Sequence, residues 1–383
     1  MGLYLDNAAT TPLSDEMIAY LSDKLHVFGN PSSSHSKGIQ SSRLIEAVRK
    51  KTAMFINANS SDNIHFTSSG SASNTLGIQG FALSNRCDIL FPKTLHKSAM
   101  KTIDNLSEYY DISTDILNVD SYGNINIDCL KRKMQTDNSL KLVVLGYANS
   151  EIGTVQDVKE IAKVVHKYGG KIFVDCTGAI STIPIDVSEL DVDMASFSAH
   201  KIGALKGVGV LYKKENVELA SLVHGSQEDG LFAGTENLLG ILSLGKAIDL
   251  MHCNETNIVL DNKDKRDFVW SRIKNIRDVY LIGAPIEENR LPNNLCICIR
   301  GVNGNELVSL MDDVFHTQIS TGSACNNGSP RPSPVLSAIG LNKEDMHSCV
   351  RVSFKGDETE CKLQDFCKNL RTCINILRKN KGD

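Results

Sequence analysis

The chain has 383 residues, 41% of them hydrophobic and 22% charged. That mixture excludes a wholly disordered chain or a fibrous repeat, and the length allows two domains. Lys and Arg total 41 against 45 Asp and Glu, a net charge of −4, so nothing in the balance pulls the protein toward nucleic acid or membrane.

No apolar run reaches the roughly eighteen residues of a membrane-spanning helix. The opening Met1-Gly2-Leu3-Tyr4-Leu5-Asp6 lacks the apolar core of a signal peptide. A cytoplasmic protein with no membrane attachment is expected. Its eleven cysteines include no CxxC pair, so most are expected to be reduced and buried. The ten histidines are scattered without paired ligand spacing, and no metal site is expected.

In chain order, the first informative segment is Phe66-Thr67-Ser68-Ser69-Gly70-Ser71-Ala72-Ser73-Asn74, followed by Leu76, Ile78, Phe81 and Ala82. It reads as a strand, a Gly/Ser turn and a helix. Free N–H groups at such a turn make a phosphate cradle. Neither the Walker nor the dinucleotide glycine spacing is present, so ATP and NAD are poorly supported. Apolar runs follow at Asp88–Phe91, Leu142–Leu145, Lys171–Val174 and Val208–Tyr212, with a helical pattern at Val158–His166. The alternation predicts an α/β fold with a mostly parallel sheet.

Asp175 closes one of these apolar runs. A carboxylate there points into the ligand crevice of a parallel sheet and suits a protonated pyridine nitrogen. Lys201 follows Ser198-Ala199-His200 and precedes the Gly-rich Ile202–Gly209. It is therefore expected in a tight turn between strands, where an amine can form a Schiff base with a carbonyl cofactor.

A join is expected near Met251–Asn262. Beyond it, Leu295–Arg300 and Cys349–Phe354 read as strands of a smaller sheet, with Arg351 suited to binding a carboxylate. Cys325 lies in Ser320–Pro334, among Gly, Ser and three prolines. That setting predicts an exposed thiol on a loop, a candidate nucleophile. Leu363, Phe366, Leu370, Ile374 and Leu377 mark one face of a C-terminal helix.

Together these segments resemble the cysteine desulfurases, within the class V aminotransferases and the fold-type I enzymes of pyridoxal 5'-phosphate (PLP). The motifs are Tyr4–Pro12, Phe28–Ser33 with His35 and Gly38, Asn149–Gly153, Ser196–Lys201, Gly234–Asn237, the Ser323-Ala324-Cys325 loop and Arg351. The loop is similar to that of the branch whose mobile cysteine delivers sulfur to partner proteins.

The resemblance implies a large domain with a seven-stranded, mostly parallel sheet and a smaller α+β C-terminal domain. Residues 15–255 would form the large domain. Residues 256–383 would form the small one, carrying the cysteine loop at about 320–334 and joined by residues 1–14. Lys201 would hold PLP, Asp175 would pair with its ring nitrogen, and His96 would stack on the ring. Gly70, Ser71, Ser198 and His200 would reach the phosphate. Thr235 would reach the phosphate of a second subunit, which implies a homodimer. Asn149 would lie beside the ring oxygen and the substrate, and Arg351 would clamp the substrate carboxylate. L-Cysteine would give L-alanine and a persulfide on Cys325, passed to an acceptor protein for tRNA thiolation, DNA sulfur modification or iron–sulfur cluster assembly.

The chain departs from that pattern at Gly178, where the family has Gln, and at Phe232, where it has Arg. It also departs at Gly70–Ser73, against Ala-Thr-Glu-Ser, and at His224-Gly225-Ser226. These departures leave open a selenocysteine lyase, another class V enzyme such as an aminotransferase, or a weakly active scaffold. Cys325 argues against an aminotransferase, which needs no thiol.

Overall fold

The computed structural model describes residues 2–252, 255–322 and 333–379. The first strand, β1 (Leu3–Tyr4), stands outside the main sheet. That sheet contains β2 (Ile64–Thr67), β3 (Asp88–Pro92), β4 (Thr114–Leu117), β5 (Lys141–Gly146), β6 (Lys171–Asp175), β7 (Met194–Ser198) and β8 (Gly209–Lys213), in the order β2-β8-β7-β6-β5-β3-β4. Only β8 runs antiparallel to its neighbours; the other pairs are parallel.

Successive side chains of a strand point to opposite faces. Val143, Leu145, Ile172 and Val174 therefore enter one core, while Leu142, Val144 and Phe173 enter another across the sheet. All seven are fully buried. Helices cover both faces, which is why these strands read as continuous apolar runs rather than alternating ones. Because β8 is reversed, β2 and β7 share the direction of β3, β5 and β6. The carboxyl ends of these five strands lie along one edge, where ligands of open α/β sheets bind.

The last third of the chain builds a separate core. Strands β9 (Val279–Leu281) and β10 (Asn294–Ile299) are followed by β11 (Thr317–Gln318) and β12 (Cys349–Ser353). The antiparallel order is β12-β10-β9, and β11 pairs with β1 in parallel. Leu5 is thereby buried among Val350, Val352, Leu363, Phe366 and Leu370. The helix Glu360–Lys379 buries Leu363, Phe366, Leu370 and Ile374, the face its spacing predicts. Helix Leu238–His252 contributes Ile241, Leu244 and Ile248 to the first core, whereas helix Glu255–Ile273 contributes Val269 and Ile273 to the second.

No helix among the described residues is long and apolar enough to cross a membrane.

A polar cluster fixes the entry to β6 and β7. Asp193 is buried and accepts from His166 Nε2 (2.8 Å), Lys171 Nζ (2.9 Å) and the Ile172 N–H (3.0 Å). Burial alone would raise the Asp193 pKa, but the bonds from His166 and Lys171 outweigh it and hold the carboxyl low. The bond to Asp193 raises His166 above its ordinary 6.5. A raised histidine stabilises fully below that ordinary value, and its contribution fades as pH climbs through the folded one. His166→Gln is therefore expected to cost more stability at pH 6 than at pH 9 in urea titrations. Equal losses at the two pH values would contradict the assignment.

Candidate active site

The segments leaving the five aligned strand ends carry most of the predicted residues. After β7 the chain makes a single turn, Ala199–Ile202, ended by Gly203 at φ 84°, a conformation that glycine adopts without a Cβ penalty. The turn puts Lys201 at the sheet edge, where Nζ donates to the Ala9 carbonyl (2.8 Å) and to that of Ala8. Its neighbour His200 is pushed down to about 4 by burial and then by Lys201 and Lys206, so its imidazole is neutral near pH 7. His200 Nδ1 lies 3.0 Å from Thr10 Oγ1.

Asp175 ends β6 and is buried. Its Oδ1 accepts from the Thr177 N–H (2.9 Å) and its Oδ2 from Asn74 Nδ2 (2.8 Å). Asn74 sits one helical turn after Gly70. Its Oδ1 accepts from Ser196 Oγ (2.5 Å), and its Nδ2 also reaches Ser98 Oγ (2.9 Å). Ser98 in turn meets His96. His96 Nδ1 caps the helix Lys97–Tyr109 by accepting the Ser98 N–H (3.2 Å). Since that nitrogen accepts, the proton of the neutral ring belongs on Nε2. One polar chain therefore joins His96, Ser98, Asn74 and Asp175.

Gly70 opens the helix Gly70–Asn85, behind the capping Ser69. A Cβ at Gly70 would lie 3.0 Å from the Ser198 Cβ and 3.4 Å from Thr177 Oγ1. Glycine thus leaves the helix N-terminus open between two hydroxyl-bearing residues, with Ser71 next in line.

The second core supplies Arg351, on β12. It is buried, with Nη2 paired to Asp6 Oδ1 (2.6 Å) and Nη1 donating to the Ser150 carbonyl (3.3 Å). Its Nε is buried without a hydrogen-bond partner among the described residues. Asn149 spends its side chain on the backbone. Nδ2 donates to the Thr94 carbonyl (2.8 Å), and Oδ1 accepts from the Glu151 and Ile152 N–H groups. It therefore shapes the turn after β5. Thr235 stands exposed on the segment before helix Leu238–His252. Cys325 lies outside the described residues.

The departures from the family pattern have local causes. A Cβ at Gly178 would lie 2.4 Å from the Ala148 carbonyl oxygen, so this backbone has no room for a glutamine there. Phe232 is partly buried against the core that contains Phe81, Leu211 and Val217, where an apolar ring packs and a guanidinium would need partners. Sequence spacing assigned no role to Asn74, Ser98 or Asp6. The run Gly70–Asn74 contains the only retrievable signal: an amide one helical turn past the glycine that opens the helix.

The aminotransferase class-V family profile matches residues 3–366, and the chain belongs to that family. It is similar to the cysteine desulfurase IscS of Dictyoglomus turgidum, at 38% identity over 98% of this chain and 95% of the relative. It is also similar to the cysteine desulfurase IscS of Methanosarcina thermophila, at 36% identity over 98% of this chain and 92% of the relative. Among solved structures it is similar to a NifS-like protein, with a TM-score of 0.90 and 28% identity over 98% of this chain and 100% of that one. A structure of SspA in complex with cysteine is similar over 93% of this chain and 100% of that one, with a TM-score of 0.79 and 26% identity.

The role of Asn74 is directly testable. Asn74→Ala strips one donor from a buried carboxylate, which is expected to cost about 1–3 kcal/mol. Denaturant unfolding of the cofactor-free protein reads this. A loss below about 0.3 kcal/mol would show that Asp175 does not depend on the amide.

Proposed function

We propose that this protein is a PLP-dependent cysteine desulfurase that releases L-alanine and carries the sulfur of L-cysteine as a persulfide on Cys325. What carries the reading is a lysine amine in a tight turn at the edge that also presents Asp175, Gly70, Ser198 and His96. The relatives named as cysteine desulfurases, similar from end to end, support it.

The residues fit PLP on three counts. The Gly70 turn is open beside Ser198 and Thr177, as a phosphate cradle must be. The Asp175 carboxylate is buried and fixed by two donors, and it would meet a protonated ring nitrogen with its negative charge. Lys201 brings its amine to the same sheet edge, against the Ala8 and Ala9 carbonyls. Lys201 would hold the cofactor, with Gly70, Ser71, Ser198 and His200 around the phosphate. Bound there, PLP supplies a sink for the electron pair left when an amino acid loses its α-proton.

The chain's own groups do the rest. Arg351 binds the substrate carboxylate, with Asp6 and the Ser150 carbonyl holding its Nη2 and Nη1 and Nε offering a donor. Lys201 Nζ takes the α-proton. His96 holds a transferable proton on Nε2, and Asn149 keeps the substrate-facing turn in shape. Cys325 Sγ forms a bond to the substrate sulfur as the carbon–sulfur bond breaks. The β-carbon gains a proton, so cysteine and one thiol become alanine and one persulfide.

The finer organisation belongs to the same proposal. Residues 1–14 and 256–383 act as a small domain beside residues 15–255. A second copy brings Thr235 to the neighbouring phosphate. Exposed Ile18, Leu25, Phe28 and Ile39 support such an interface. The nine described cysteines are free, which supports a reducing, cytoplasmic setting; an acceptor protein takes the persulfide sulfur.

The test uses purified holoenzyme given L-cysteine and a reductant, with alanine and sulfide both quantified. Equal amounts from the parent are expected, and at least a hundredfold less from Cys325→Ala, which removes the acceptor thiol. Product formation indifferent to that substitution would overturn the persulfide step.

A further inference from the structure

Beside the predicted site lies a buried acid to which the mechanism gives no task. Glu151 follows Asn149 in the turn after β5 and is 8% exposed. Its backbone is fixed on two sides, by the bond from its N–H to Asn149 Oδ1 (2.9 Å) and by Asn294 Nδ2, which reaches its carbonyl (3.3 Å). Its side chain meets two stretches of chain far off in sequence. Ser333 Oγ, itself buried, donates to Oε2 (2.9 Å). Gly322 lies flush against the other side: a Cβ there would fall 2.3 Å from Glu151 Cγ and 2.6 Å from Oε1. Oε1 is buried with no hydrogen-bond partner among the described residues.

Such a group is costly to bury, and burial raises its pKa. Apolar packing at this point would not carry that cost, so the contact calls for a directional explanation. Gly322 and Ser333 are the last and first described residues on either side of 323–332, the segment that contains Cys325. Ser333 also caps the short helix Pro334–Ala338 through the Leu336 N–H (3.3 Å), which ties the same hydroxyl to the chain beyond.

We infer that Glu151 is a positioning residue: its side chain holds the chain on both sides of Cys325, at Gly322 and at Ser333. The inference rests on the desulfurase reading, in which Cys325 takes the sulfur. Oε2 holds the Ser333 stem by a hydrogen bond, whereas Cγ and Oε1 pack against the Gly322 stem without one. Glutamine keeps the shape and a polar atom toward each stem; alanine keeps neither.

The holoenzyme, Glu151→Ala and Glu151→Gln are compared by two measurements. The first is amide hydrogen exchange in peptides covering 316–322 and 333–341, which needs no turnover. Glu151→Ala is expected to exchange at least threefold faster in both, and Glu151→Gln to match the parent. Acceleration in neither peptide, or in one alone, overturns the clamp.

The second is single-turnover alanine formation against cysteine concentration. Glu151→Ala is expected to lose at least tenfold in maximal rate, with half-saturation and the cysteine-induced change in cofactor absorbance within twofold of the parent. Glu151→Gln is expected to stay within threefold in rate. A shift in half-saturation as large as the loss in rate would place Glu151 with the substrate instead and overturn the inference. A parent that makes no alanine while the exchange pattern holds would refute the desulfurase reading and leave the clamp standing.

Discussion

Burying a carboxylate at the end of β6 costs least when donors meet both of its oxygens, and that demand organises the site. Thr177 supplies one donor from the chain just beyond the strand, and Asn74 supplies the other from a helix that starts after β2. Asn74 is then held by Ser196 on β7 and by Ser98 on the helix after β3. The single acid therefore ties together four pieces of chain that sequence separates by up to about 120 residues, Asn74 to Ser196. Gly70, proposed for the phosphate, and the ring of His96 sit on two of those pieces. Their placement follows from satisfying Asp175.

A second constraint joins the two cores. The chain start crosses from β1, paired to β11, to the edge of the main sheet. On the way Asp6 pairs with Arg351, and the Ala8 and Ala9 carbonyls accept from Lys201. The proposed carboxylate clamp and the proposed base are thus positioned by three residues within four positions of chain, Asp6, Ala8 and Ala9. The turn after β5 works from the other side, where Asn149 shapes it, the Ser150 carbonyl touches Arg351, and Glu151 meets Gly322 and Ser333.

Much of the fold was legible because buried parallel strands leave unbroken apolar runs. The sequence-based strands around β3, β5, β6 and β8 fall within a residue or two of those observed. The C-terminal helix buried the face that its spacing marked. Lys201 was legible from its Gly-rich surroundings and Asp175 from its place at a strand end. Asn74, Ser98 and Asp6 were not, since their partners are distant in sequence and an amide or hydroxyl in a helix has no pattern of its own. Gly178 looked like a loss of function at the level of sequence. In the fold it is a close approach to the Ala148 carbonyl, visible only once the two segments are side by side.

The central claim is that Cys325 receives the sulfur atom through a reaction that depends on Lys201. Peptide mass spectrometry after a brief exposure of the holoenzyme to L-cysteine, with no reductant present, tests it most directly. The account predicts one added sulfur on the peptide containing Cys325 in the parent and none in Lys201→Ala. Alanine accumulating while the Cys325 peptide stays unmodified would contradict it.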